Sequence, residues 1–129
     1  MNLLERALLC FVLGNGDAHL KNFSLIRKEE VGYQLSPAYD IVNSRLVLLD
    51  EREEMCLSMM GKKNRISGED FLGLSDRFGL TRKQADNSLA RLNDLKHDIE
   101  DMILGCFLSN SLKERFLDIF SARMEKIFG

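Results

Sequence analysis

The chain has 129 residues, enough for one folded unit around a single core, and its 45% apolar content is ordinary for a globular protein. A formal net charge of -2 excludes a protein whose main work is neutralising nucleic-acid phosphates, so no direct nucleic-acid partner is expected. Cys10, Cys56 and Cys106 are widely spaced and form no CxxC knuckle, which reads as free buried thiols in a reducing compartment.

Leu3, Leu4, Ala7, Leu8, Phe11 and Val12 recur at helical spacing and predict a largely buried helix over residues 2–13. The run is too short to span a bilayer and contains Glu5. It has no basic n-region and no cleavage site, so a cytoplasmic protein with no membrane partner is expected. Gly14-Asn15-Gly16 ends the helix, and D-A-H-L-K-N follows as a polar loop. Residues 23–27 and 32–35 predict a β-hairpin around Lys28-Glu29-Glu30, closed by Pro37. Residues 46–49 and 55–60 are expected as further short extended pieces, with Gly61 and Lys62-Lys63-Asn64-Arg65 as a solvated turn. Ser67 with Asp70, Thr81 with Gln84 and Ser111 with Glu114 predict helices over 68–78, 82–108 and 112–128. Ala85, Leu89, Leu92, Ile99, Ile103 and Phe107 form the apolar stripe of the second, and Phe116, Phe120, Met124 and Ile127 that of the third. The fold class is mainly α with a small β-hairpin element, a single domain over 1–129.

Asp17 and Asn22 stand in the D-x-x-x-x-N spacing of a kinase catalytic loop. That chemistry needs a carboxylate facing the incoming hydroxyl and an amide oxygen, one loop turn later, facing a phosphate-bound Mg²⁺. The spacing alone is common. It gains weight because the hairpin returns the chain to Ser36-Pro37-Ala38-Tyr39-Asp40, bringing a second hard oxygen donor, Asp40, within reach of Asn22. Loop, hairpin and metal-binding Asp occur in this order in kinase C-lobes.

N-G-D-A-H-L-K-N-F-S followed by Y-Q-L-S-P-A-Y-D resembles the C-terminal region of HipA-like serine/threonine kinases, and so do E-M-C-L-S-M-M-G-K-K and the helical tail. The resemblance covers nearly the whole chain. It implies a protein-kinase-like C-lobe, ATP and Mg²⁺ as cofactors, a protein Ser or Thr as substrate, and a toxin–antitoxin setting with a small DNA-binding antitoxin as partner. By motif, Asp17 matches the catalytic Asp, Asn22 the Mg²⁺-binding Asn, and Asp40 the metal-binding Asp of the DFG-like position. His19 either donates to the transferring phosphate or holds the loop backbone. Lys21 either reaches a phosphate or is an exposed lysine. Asn15 is expected to brace its own turn, and Pro37 and Tyr39 to shape the approach to Asp40.

No G-x-G-x-x-G occurs, and no lysine precedes the D-A-H-L-K-N loop. The phosphate-gripping loop and strand lysine of a working kinase are therefore expected from an N-lobe-bearing partner chain. The alternatives are a truncated remnant and a non-catalytic interaction module derived from the same lobe. A small-molecule kinase of the aminoglycoside-phosphotransferase type shares the D-x-x-x-x-N logic, but it usually places a His where Asn15 stands. An ordinary helix–hairpin connection is the blandest reading, since Asp and Asn are common in turns.

Overall fold

The computed structural model describes residues 2–50 and 52–129. Helix α1, Leu3–Val12, starts at a capping box: Asn2 Oδ1 accepts from Glu5 N at 2.8 Å, and Asn2 N donates to Glu5 Oε2 at 2.9 Å. Leu4, Leu8, Phe11 and Val12 are all at or below 1% exposure, so this helix forms the middle of the core. It ends at Gly14, whose φ of +70° suits glycine. A Cβ there would also meet Asn43 Oδ1 at 2.9 Å and Ile119 Cγ2 at 3.0 Å.

After a 3₁₀ turn at Leu20–Asn22 come β1, Leu25–Lys28, and β2, Gly32–Leu35, paired antiparallel from Leu25↔Leu35 to Lys28↔Gly32. The first strand starts two residues later than its apolar run suggested. Below β1 and β2 the pairing continues, with Ser36 N donating to Ser24 O at 2.8 Å. The extended pieces expected over 46–49 and 55–60 do not form. A 3₁₀ turn occupies Ser44–Leu46, and the later segment contributes only an isolated Met59↔Lys62 bridge.

Four helices complete the fold: α2 (Gly68–Arg77), α3 (Arg82–Asp94), α4 (Lys96–Gly105) and α5 (Asn110–Phe128). Helices α2, α3 and α5 pack on α1. Phe71 of α2 meets Phe11 edge-on at 5.4 Å between centroids, while Arg123 of α5 lies 4.5 Å over the same Phe11 ring. The single helix expected over 82–108 is two helices. At Leu95 the backbone keeps φ near −80° but ψ moves to −2°, away from the helical value of about −42°, and the ladder breaks without a Gly or Pro. Phe107, expected in the buried stripe, lies beyond α4 and is fully exposed. The cap of α5 is Ser109 rather than Ser111. Of the cysteines only Cys10 is buried; Cys56 and Cys106 are partly exposed, and all three are free. Among the described residues no helix is long and apolar enough to cross a membrane.

The irregular segment before α2 is tied down by buried Glu54, which accepts from Ile66 N at 2.9 Å and from Lys126 Nζ of α5. Burial alone pushes the Glu54 carboxyl up, but the Lys126 and Ile66 hydrogen bonds and the nearby Arg123 charge outweigh it and hold the group below its ordinary value. A carboxyl depressed in the folded state stabilises above its unfolded pKa, here about 4.5, and that contribution is lost as pH falls through the folded value. Asp70, bonded to Lys62 and to Ser67, adds in the same direction. We predict that Glu54→Gln lowers the unfolding midpoint at neutral pH, and that the loss shrinks on acidification below pH 4.5. Thermal unfolding followed by circular dichroism across that range checks it.

Candidate active site

The chain leaves α1 through Gly14-Asn15-Gly16 and is caught at once by Ser44. Its Oγ accepts from buried Gly16 N at 3.0 Å and lies 3.4 Å from Gly14 O. This fixes the exit turn, and so Asp17, against the segment that follows Asp40. Asp17 is exposed, and among the described residues its carboxylate has no hydrogen bond or ion pair. A carboxylate so placed is free to accept a proton.

The loop then tightens into its 3₁₀ turn. His19 N donates to Asn22 Oδ1 at 3.1 Å, and His19 O accepts from Asn22 N at 2.9 Å. A backbone N–H can only donate, so it fixes which end of the Asn22 amide faces it and turns the NH₂ outward. Asn22 Nδ2 donates to Asp40 Oδ2 at 2.7 Å. Sequence reasoning placed these two residues together, and the structure brings them into direct contact across 18 residues of chain.

The hairpin base makes that return possible. Ser24 Oγ donates to Ser36 Oγ at 3.0 Å, and Tyr39 Oη lies 2.9 Å from Lys21 O and 3.3 Å from Ser24 Oγ. Tyr39 thus links the segment leading to Asp40 with the loop carrying Asp17. Asp40 itself has φ +54°, an uncommon conformation for a non-glycine residue. Asn15, 2% exposed, donates from Nδ2 to Asp40 O at 3.4 Å. Its side chain therefore holds a residue far along the chain, as well as facing Cys10 Sγ at 3.9 Å, and does not simply brace its own turn. Beneath it, burial pushes the Cys10 thiol up despite the Asn15 hydrogen bond and the Arg6 charge, so it stays protonated.

Lys21 is exposed on the same loop, and its side chain has no partner among the described residues. His19 is half-buried, and its ring Nδ1 is buried without a hydrogen bond. The basic run Lys62 to Arg65 is largely used in holding its own turn. Lys62 pairs with Asp70 at 2.8 Å, Lys63 with Glu53 at 3.1 Å, and Asn64 Oδ1 accepts from Glu54 N at 3.0 Å.

Sequence reasoning missed Ser44 and Arg6. Arg6 is 3% exposed on α1 and donates from Nη2 to Ser36 O. Its signal was a charge inside a helix that is otherwise apolar on nearly every face. Ser44 carries no such mark.

Asp40 and Asn22 both carry hard oxygen atoms of the kind Mg²⁺ takes. As placed, however, Asn22 turns its NH₂ to Asp40 and its Oδ1 to His19 N, so its oxygen would serve an ion beside Asp40 only with the amide turned over. Mg²⁺ usually takes one or two protein oxygens and completes its octahedron with phosphates and waters. Among the described residues no group of three or more His, Cys, Asp or Glu side chains could hold a metal by itself.

Residues 1–99 match the HipA-like C-terminal domain family. The chain belongs to that family. A protein of Haemophilus influenzae named "Putative kinase" is 30% identical over 95 residues, covering 62% of this chain and 28% of that protein. The HipA structure of Shewanella oneidensis MR-1, from a toxin–antitoxin complex with HipB and operator DNA, superposes with a TM-score of 0.78 at 26% identity. That match covers 98% of this chain and 31% of the other. The HipA-like domain described here thus spans less than a third of the length of these relatives. The mostly helical fold with its two-stranded hairpin is the HipA C-terminal fold.

The hold of Ser44 on the exit turn is testable. Ser44→Ala removes one of the two acceptors of buried Gly16 N–H, leaving Gly14 O at 3.0 Å, and is expected to cost about 0.5–1.5 kcal/mol of stability, read from urea unfolding.

Proposed function

We propose that this HipA-like domain supplies the base and metal side of a Ser/Thr protein kinase site. The observation that carries the reading is the 2.7 Å contact of Asn22 with Asp40, on the loop that presents Asp17 with a free carboxylate. Asp17 accepts the proton of the protein hydroxyl. Asn22 and Asp40 would hold Mg²⁺, which when bound neutralises charge on the ATP phosphates. Lys21, unpartnered on the same loop, adds positive charge at the phosphates. His19 serves the loop through its main chain, since its N–H fixes the Asn22 amide.

The G-x-G-x-x-G loop and the strand lysine are absent from these 129 residues. A complete site takes them from a further polypeptide segment, in the same protein or in a partner chain. The HipA–HipB–DNA complex supports, by extension, a DNA-binding antitoxin as a second partner and a toxin–antitoxin setting.

Calorimetric titration with Mg²⁺-ATP, on the chain alone and mixed with the phosphate-gripping half of a HipA protein, tests this reading. Binding is expected in the mixture and to be lost in Asp40→Ala. Asp17→Ala is expected to retain nucleotide binding and stability while lowering transfer to protein by about 10²–10⁴-fold, the usual worth of a general base. Full activity in Asp17→Ala would sink the assignment. Absence of Mg²⁺-ATP binding in both arms would leave the domain a non-catalytic interaction module.

A further inference from the structure

The segment from Ser36 to Asp40 is gripped from beneath at both ends. Arg6 of α1 donates to the carbonyl of Ser36, and Asn15, in the exit turn of the same helix, donates to the carbonyl of Asp40 at 3.4 Å. Both side chains are nearly inaccessible, at 3% and 2% exposure. Cys10 stands one helical turn after Arg6, 3.9 Å from Asn15 Nδ2 and under the influence of the Arg6 charge. The three side chains form a single buried column under the metal side of the site.

Arg6 is an expensive choice for that place. Its Nε and Nη1 are buried without a hydrogen-bond partner, and among the described residues no carboxylate pairs with it. The neighbouring buried positions of α1 are Leu4, Ala7, Leu8, Phe11 and Val12. An apolar side chain at position 6 would fill the space without burying a charge. An apolar residue lacks what the guanidinium provides, a rigid planar donor held against the Ser36 carbonyl. The far end of the segment carries the second grip, at Asp40, whose φ of +54° is a sparsely populated conformation that costs backbone energy to hold.

We infer that Arg6 and Asn15 are positioning residues that set the main chain of 36–40 so that the Asp40 carboxylate meets Asn22. Neither touches the reacting atoms. The inference rests on the reading of Asn22 and Asp40 as the metal side, and its test separates the two.

The readout is the Asn22 side-chain amide in ¹⁵N spectra of this chain, with exposed Asn87 as internal reference, and the metal probe is Mn²⁺-ATP added together with the phosphate-gripping half of a HipA protein. In the unsubstituted chain the Asn22 amide hydrogens are expected to exchange more slowly than those of Asn87, and Mn²⁺-ATP in that mixture to broaden Asn22 selectively. Arg6→Met is expected to speed Asn22 exchange by about 5–10-fold, the worth of one lost hydrogen bond, while the backbone amides around Phe120 keep their protection. Asn15→Ala is expected to do the same. If Arg6→Met does not fold, Arg6→Gln carries the measurement, since its shorter neutral side chain cannot reproduce the guanidinium grip. A folded Arg6 variant with unchanged Asn22 exchange overturns the inference, because a purely structural arginine would lower stability and leave that signal alone. Faster Asn22 exchange in the variants, with no broadening of Asn22 by Mn²⁺-ATP in the mixture, upholds the positioning role and overturns the metal reading.

Discussion

Everything in this fold hangs on the near-complete burial of α1. A helix that hides Leu4, Leu8, Phe11 and Val12 at once needs neighbours on several sides, and α2, α3 and α5 provide them. Each fully buried large apolar side chain is worth about 1.5–3 kcal/mol relative to exposure, so the helix cannot shift along its axis without losing several such contributions together. The consequence is felt at its end. Gly14, trapped between Asn43 and Ile119, fixes where the chain leaves the core, and Asp17 follows three residues later.

The candidate site is built the opposite way. Beyond α1 its parts are joined mainly by hydrogen bonds: Ser44 to Gly16, Ser24 to Ser36, Tyr39 to Lys21, Asn22 to Asp40. Such bonds contribute about 1 kcal/mol each, so the site is cheap to rearrange locally while the helices beneath it stay put. On the function proposed above, a loop that admits phosphates and a protein hydroxyl would gain from that division of labour.

The sequence disclosed much of this because several signals are local. Ser67 and Thr81 cap their helices through residues three positions on, as their spacing indicates. Asp17, Asn22 and Asp40 were legible as a set because a hairpin geometrically returns the chain to its start. What stayed hidden depends on tertiary context. The break at Leu95 is a rotation of one ψ with no marker residue. Phe107 fits a helical stripe, but the stripe ends before it. Asn15 has the look of a turn-bracing residue, yet its partner is 25 positions away. Arg6 carried a signal that went unread, a charge in the middle of the buried face of a core helix.

The hairpin that carries the chain from Asn22 to Asp40 has a cost of its own. Its strands pair only with each other among the described residues, and nearly every residue in them is exposed, Leu25 and Tyr33 included. Both outer edges therefore present unpaired N–H and C=O groups alongside apolar side chains, the geometry that invites strand addition from a neighbouring molecule. The strands are only four residues long and their turn carries Glu29 and Glu30 beside Lys28, features that shorten and charge an open edge. The same ribbon that delivers a carboxylate to the site is thus the part of the surface where self-association has to be held off by charge.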